Sequence, residues 1–478
     1  MFYAVTYSYA GYLNYTICSM KNFYKAIIVF LSIPTLLFAQ SKTAVIDSMI
    51  HRTNRLGLFS GNVLVVDHGQ TIYKTAIGFT DATKQKNLTE QYRFHIGSIA
   101  KEFNAVGIMM LKEQGKLKLD DKVSQFIPEL PKWADSVSIK NLLQYTSGVP
   151  DVKWKTVKGD ADNMADLMKF TKLDFKPGTN YNYNNNNVFL QRRIIERITG
   201  MPFNKFVEEK LLKPAGMNTA VIDPDDNTPL MAISYNNNLK KGDLIYPITG
   251  WVAVTLADFY KWEQALESFK LITPESTREL LIPYSLGKQC GLGGGSMTGN
   301  KLSYHKHDGS SVQYQALLIG SADKGRAIIL MTNNRQNNIY DIGNAIEAIL
   351  DGKPYQQPKK PILGTFDKQL DSLNAAQILA FYNDLKAKHA NDYGFENEST
   401  LNEIGYYLLN KKRVDDAINV FTYNVKLFPS SGNLYDSLGE AYYAKGDKQN
   451  ALINYKKAYR LDPANAAAKA VVAELEKK

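Results

Sequence analysis

The stretch "FHIGSIAKEFNAVGIMML", Phe94 to Leu111, sets Ser98 and Lys101 three residues apart where a helix begins. Phe103, Val106, Gly107, Met110 and Leu111 recur at i, i+3, i+4, i+7 and i+8, which predicts a helix from here to Gly115. On that helix Ser98 and Lys101 fall opposite the apolar stripe, one turn apart, with roughly 5–6 Å between β-carbons. The serine stands in the first turn, where unpaired N–H groups and the positive helix end favour a developing oxyanion. The pattern S-x-x-K also occurs at Ser285/Lys288, Ser303/Lys306 and Ser321/Lys324. Ser285 and Ser303 sit in Gly-rich or strand-edge sequence and Ser321 opens a hairpin turn, so none of these is placed to hold a lysine rigidly.

Outward from the serine, the chain from about residue 41 to 355 mixes strands and helices. "SGNVLVVDHGQTIYKTAIG" alternates apolar residues about a His68-Gly69 turn and predicts a β-hairpin; "YQALLIGSADKGRAIILMTN" predicts a second, turning at Ala322 to Gly325. A mostly helical stretch lies between them. The arrangement implies one sheet built from the two ends of the domain, with a helical insert.

Three further segments follow the serine at wide spacing. "LLQYTSGVPD" (Leu142–Asp151) is a helix end running into a turn, and "FKPGTNYNYNNNNVFLQRRIIERITG" contains Tyr183-Asn184-Asn185. After "GWVAVTLADFYKWEQAL" comes "HKHDGSS", with His307-Asp308-Gly309. The order S-x-x-K, Y-x-N, then a strand with K/H-x-G inside one domain resembles the serine β-lactamase/penicillin-binding superfamily, in its class C, D-aminopeptidase and esterase branch. The resemblance implies an α/β (α+β) catalytic domain, an antiparallel sheet with helices plus a helical insert.

The same resemblance implies roles. Ser98 would be the acylated nucleophile, which needs a partner to take its proton. Lys101 would assist as proton acceptor or electrostatic partner, and Tyr183 would be the base that later activates water. A free tyrosine titrates near about 10, so phenolate character requires an adjacent cation such as Lys101. Asn185 would orient Lys101 and bind a substrate amide. The strand with His307, Gly309 and Ser310 would bind substrate, Ser310 giving the second oxyanion N–H beside that of Ser98. At the position of His307 the β-lactamases and penicillin-binding enzymes commonly carry lysine, which grips a substrate carboxylate. Histidine is mostly neutral at neutral pH and weakens that grip. The expectation is therefore an exported serine hydrolase acting on amide or ester bonds of D-amino-acid peptides or small esters. The alternatives are a true β-lactamase, or a weakly catalytic adaptor. No cofactor is implied. His305 and His307 invite a metal reading, but zinc needs three or four ligands and the chain has six histidines with no second cluster.

Around "GKPYQQPKKPILGTF" the composition turns to Pro, Gly and Lys, predicting a linker over 356–370. Beyond it, in 371–478, Gly405 and Gly439, Ala417 and Ala451, Phe421 and Tyr455, and Pro429 and Pro463 are each 34 residues apart. That period resembles the tetratricopeptide repeat, implying an all-α domain of helical hairpins able to dock a protein or peptide partner. Tyr435, Leu438, Gly439, Tyr442, Ala451, Tyr455, Ala458 and Pro463 fit the second copy. In the first, Asn424 stands where a small residue is usual. The helical segment from Leu370 to about His389 is expected to pack on the repeats.

Before the catalytic domain, "MKNFYKAIIVFLSIPTLLFAQS" from Met20 has the layout of a signal peptide: Lys21 and Lys25, a short apolar run, and Ala39 before Gln40. Residues 1–40 are read as a leader with its true start at Met20. The product is expected to be secreted or periplasmic, or membrane-anchored if uncleaved. The formal charge is +10, yet no lysine and arginine cluster with interleaved aromatics reads as a nucleic-acid groove. The two cysteines, Cys18 and Cys290, cannot form a disulfide framework.

Overall fold

The computed structural model describes residues 42–477 apart from 245 and 337. The leader expected over 1–40, with Cys18, lies outside them. The chain divides after Pro358 into two compact units.

The first unit is built on a six-stranded antiparallel sheet. Its strands are β1 (Gly61–Asp67), β2 (Gln70–Ile77), β6 (Gly294–Thr298), β7 (Lys301–Ser311), β8 (Tyr314–Ser321) and β9 (Arg326–Thr332), in the order β2-β1-β9-β8-β7-β6. A smaller sheet pairs β3 (Phe94–His95) and β4 (Val221–Ile222) on either side of β5 (Val252–Val254). Both expected hairpins form. His68 and Gly69 take φ of 50° and 73°, the two left-handed residues of a tight turn whose twist matches its strands.

The central strands read as unbroken apolar runs because both faces are buried, and successive side chains point to opposite cores. Val63, Val65, Leu317, Ile319, Ile328 and Leu330 pack with Ile46, Met49 and Ile50 of α1 (42–55) and Ile339, Ile342 and Ile346 of the terminal helix Ile339–Leu350. Their neighbours Leu64, Val66, Leu318, Ile329 and Met331 face the insert. There they meet α2 (Lys101–Glu113), α3 (Asn185–Thr199) and α4 (Leu256–Glu267), through Phe103, Val106, Phe189, Ile194, Phe259 and Trp262. The sheet is thus made from the two ends of the unit, with the insert carrying most of the helices.

Helix α2 differs from its expectation. It starts at Lys101, while Ser98 lies in a preceding 3-10 turn, Gly97–Ala100. Nor does it have a polar face: every residue from Lys101 to Met109 is buried. Packed between the sheet and the other helices, α2 has no solvent side, so apolar periodicity locates the helix but not its orientation.

In the second unit, helices Ser399–Asn410, Val414–Leu427, Gly432–Lys445 and Lys448–Leu461 form two consecutive hairpins, followed by Ala466–Leu475. Gly405 faces the Phe421 ring and Gly439 the Tyr455 ring, so the 34-residue spacing repeats one contact: bare backbone against an aromatic. Asn424 is buried where Ala458 sits in the second copy, and its Nδ2 donates to the Glu398 carbonyl at 2.8 Å. The helix Ala375–His389 joins the same core through Ile378 and Tyr382. Within 356–370, Ile362, Phe366 and Leu370 are buried in this core as well, so part of that Pro-rich stretch packs within the unit. Among the described residues no helix is long and apolar enough to cross a membrane.

Candidate active site

Ser98 is held by the backbone around it. The chain passes from β3 through Ile96, whose N–H donates to the Val252 carbonyl at 3.1 Å, into the turn that carries the serine. Gly97 is left-handed, with φ of 56°. A β-carbon there would collide with the Ser310 nitrogen, and one on Gly309 would stand 2.7 Å from the Ser98 nitrogen. Only glycine at both positions lets the Ser98 turn and strand β7 touch backbone to backbone. The two N–H groups expected to cradle an oxyanion, those of Ser98 and Ser310, are therefore brought together.

Lys101 reaches back one turn and its Nζ lies 2.9 Å from Ser98 Oγ. The side chain is buried, and its Nζ stands over the rings of Tyr183 (5.0 Å to the centroid) and Trp251 (5.4 Å). Burial pushes its pKa down to about 7, helped by the nearby charge of Arg192 and opposed by Asp151. The shift favours the neutral amine, which can accept a proton, far more than in a free lysine.

The asparagine run has a local explanation. Asn184 caps α3, accepting from the Asn187 N–H, and its Nδ2 donates to the Val149 carbonyl at 2.7 Å. Asn186 donates to the Pro150 carbonyl at 2.7 Å, and the Asn185 N–H donates to Asp151 Oδ1 at 2.9 Å. These bonds tie the start of α3 to 149–151 and settle which tyrosine faces the serine. Tyr183 lies under Lys101 and against Tyr145 (ring centroids 4.5 Å apart), whereas Tyr181 pairs outward with Tyr284 and Lys288.

Tyr183 departs from its expectation. Burial pushes the phenol up to about 12, the Ser98 hydroxyl opposing and the Asp308 charge reinforcing the shift. The lysine expected to stabilise a phenolate is itself driven towards neutrality, so the surroundings hold Tyr183 as a neutral phenol. Asn185 is half-buried, and no hydrogen bond joins its side chain to Lys101 among the described residues.

His307 lies on β7 and is buried beneath Gly293, the left-handed glycine of the tight Cys290–Gly293 turn. Its Nδ1 lies 2.6 Å from Glu102 Oε1, so this ring is tied to a carboxylate of the protein. Cys290 is buried, its thiol pushed up to about 11 by that burial and donating to the Gly293 carbonyl, which leaves it unreactive. No group of side chains among the described residues could hold a metal ion.

Of the other S-x-x-K matches, Ser303 pairs with Ser296 across the sheet edge, Ser321 Oγ donates to the Ser303 carbonyl, and Ser285 lies in an exposed loop. Several site neighbours went unmarked in sequence: Glu102, Asp151, Arg192 and Trp251. Only Glu102 carried a usable signal, as the residue after Lys101 facing two histidines at alternate positions of one strand.

Comparison with known proteins agrees with this geometry. A family model described as Beta-lactamase matches residues 44–351, and one described as Tetratricopeptide repeat matches residues 432–465. The chain is similar to Penicillin-binding protein 4* of Bacillus subtilis, 26% identical over 380 residues, covering 70% of this chain and 81% of that protein. Among solved structures it is similar to a penicillin-binding protein from Bacillus halodurans, with a TM-score of 0.56 and 23% identity over 63% of this chain and 98% of that one. A class C beta-lactamase superposes with a TM-score of 0.53 and 20% identity over 65% and 96%. With its sheet, insert and serine-bearing turn in that arrangement, the chain belongs to the beta-lactamase family of serine hydrolases.

Proposed function

We propose that this hydrolase cleaves ester or amide bonds of small esters or D-amino-acid peptides through an acyl-enzyme on Ser98. The observation that carries the reading is the buried Lys101 amine, 2.9 Å from Ser98 Oγ and with its pKa pushed down to about 7. Neutral Lys101 takes the Ser98 proton as Oγ attacks the carbonyl carbon. The oxyanion forms against the Ser98 and Ser310 N–H groups. As the tetrahedral intermediate collapses, the carbon–leaving-group bond breaks and the Lys101 ammonium returns its proton to the departing amine or alkoxide. Water then repeats the cycle on the acyl group, with Lys101 again the base. Tyr183, held as a phenol whose buried hydroxyl has no hydrogen-bond partner among the described residues, donates that hydrogen bond to the bound substrate. A substrate without an essential carboxylate is supported by His307, whose Nδ1 is engaged by Glu102.

Export by the leader, and docking of a protein or peptide on the repeat unit, are part of the same proposal. They are supported by the Lys-flanked apolar run after Met20 and by the tetratricopeptide match.

The test is mass spectrometry of the full chain after exposure to a fluorophosphonate and, separately, to a penicillin. One fluorophosphonate adduct on Ser98, absent in Ser98→Ala, is expected. No adduct on folded protein would overturn the acyl-enzyme. A penicillin adduct that hydrolyses rapidly would shift the substrate class to β-lactams.

A further inference from the structure

A cluster of buried titratable groups lies next to the Ser98 turn. Glu102 is fully buried, and its carboxylate meets three donors: His305 Nε2 at 3.0 Å and His307 Nδ1 at 2.6 Å on Oε1, and Trp262 Nε1 at 2.6 Å on Oε2. His305, also fully buried, turns its Nδ1 to Glu263 Oε2 at 2.7 Å. Burial alone would raise the Glu102 pKa, but the His305 charge and the hydrogen bonds of both histidines outweigh it and hold the carboxyl well below its usual range. Burial likewise opposes charge on His305, and Glu263 and Glu102 overcome it and raise that pKa well above the ordinary value. Glu102 is thus an anion and His305 a cation, both out of water.

Such a cluster is a poor way to fill a core. Desolvating each ion costs several kcal/mol, and well-packed apolar residues of similar volume are often as stable or more so. What the cluster has that apolar residues lack is direction, and it spans the parts that form the site. Glu102 follows Lys101 in α2. His307 precedes Gly309 by two residues on β7, and Gly309 lies against the Ser98 nitrogen. Trp262 and Glu263 come from α4. Among the described residues, Glu102 makes the only side-chain hydrogen bonds between α2 and β7.

We propose that Glu102 is a positioning residue for acyl transfer: through His307 and His305 it fixes β7 against helix α2, which continues the turn carrying Ser98, and so sets the spacing between the Ser98 and Ser310 N–H groups. This rests on the acyl-enzyme reading above. Oxyanion donors act over about 2.7–3.1 Å, so a small slip of the strand weakens transition-state binding while leaving ground-state binding nearly intact.

The test is steady-state kinetics of the full chain on a p-nitrophenyl ester, with active sites counted by fluorophosphonate titration. Glu102→Gln keeps the shape and removes the charge. Its kcat per titrated site is expected to fall about 10²-fold with KM within about threefold, and Glu102→Asp to recover part of the loss. Unchanged kcat per site, or a rise in KM alone, would overturn the proposal, since a merely structural role lowers only the number of titratable sites. Should Glu102→Gln fail to fold, Trp262→Phe removes one donor to Glu102, and a kcat fall of about threefold or more at constant KM is expected. In that variant too, unchanged kcat sinks the idea. If the wild-type chain takes no fluorophosphonate, the acyl-enzyme reading fails; if both chains take it at equal rates, only the role of Glu102 fails.

Discussion

Lys101 and Glu102 are consecutive in the chain, equally buried and opposite in treatment. The lysine has no carboxylate in contact. It meets a hydroxyl and two ring faces, and burial drives it towards the neutral amine. The glutamate carboxylate meets three donors, two on Oε1 and one on Oε2, and stays ionised. The first has no ionic partner in contact, which in the proposed mechanism makes it a base near neutral pH. The second is tied by three donors, which in its proposed role makes it a fixed point. A single turn of helix thus sets a group driven towards neutrality beside one held ionised.

The sharpest way to break this contrast is Lys101→Met. The variant removes the base, and kcat/KM for an ester is expected to drop about 10³-fold or more. Because a desolvated amine is replaced by a side chain of similar length that suits the site, the melting temperature should hold or rise. A large loss of melting temperature would mean that the lysine is a structural ion and not a poised base.

Tyr183→Phe sharpens the comparison from the other side. If the phenol is neutral and only donates a hydrogen bond, its removal should lower kcat by roughly ten- to a hundredfold, less than Lys101→Met. The pH limb near 7 should survive. Disappearance of that limb in Tyr183→Phe would assign it to the tyrosine.

The sign of the limb follows from the shift. In the proposed mechanism Lys101 acts as the neutral amine, and its pKa is depressed to about 7, so kcat/KM should be full above that pH and fall tenfold per pH unit well below it. Arg192 contributes a like charge to the depression. Arg192→Met should therefore raise the Lys101 pKa and move the limb towards higher pH by about half a unit to one unit. An unmoved limb would show that burial alone sets the lysine.

Much of this was legible in sequence, for identifiable reasons. The Ser98–Lys101 pair stood out because a helix period follows it, and both hairpins because short Gly-containing turns sit between apolar strand runs. The 34-residue repeat showed through pairs such as Gly405 and Gly439, since the contact each glycine makes leaves no room for a side chain. Glu102 stayed hidden because a carboxylate beside a motif reads as surface, and only the burial of α2 on all sides makes it interior. Tyr183 was misjudged electrostatically, because proximity to a lysine promises a phenolate only when that lysine is charged. Asn424 departs from the small residue usual in the repeat because its amide meets a backbone carbonyl there. Each miss concerns a polar group whose partners come from distant parts of the chain.

Glu267 tests whether neutralisation by burial is enough to mark chemistry. Its carboxyl is pushed up to about 8 by burial and by the like charge of Glu263, so it resembles Lys101 in being held neutral near pH 7. Unlike Lys101, it touches no candidate reacting group, and its Oε1 is buried without a hydrogen-bond partner. With a folded pKa above the unfolded value of about 4.3, the native state binds the extra proton, and stability falls as pH rises from there to about 8. Glu267→Gln does not titrate. Its melting temperature should match the wild type near pH 5 and exceed it by a few degrees near pH 8, with kcat unchanged at both. A fall in kcat would draw Glu267 into the site. An unchanged kcat would show that what distinguishes Lys101 is not its displaced pKa but the serine hydroxyl 2.9 Å away.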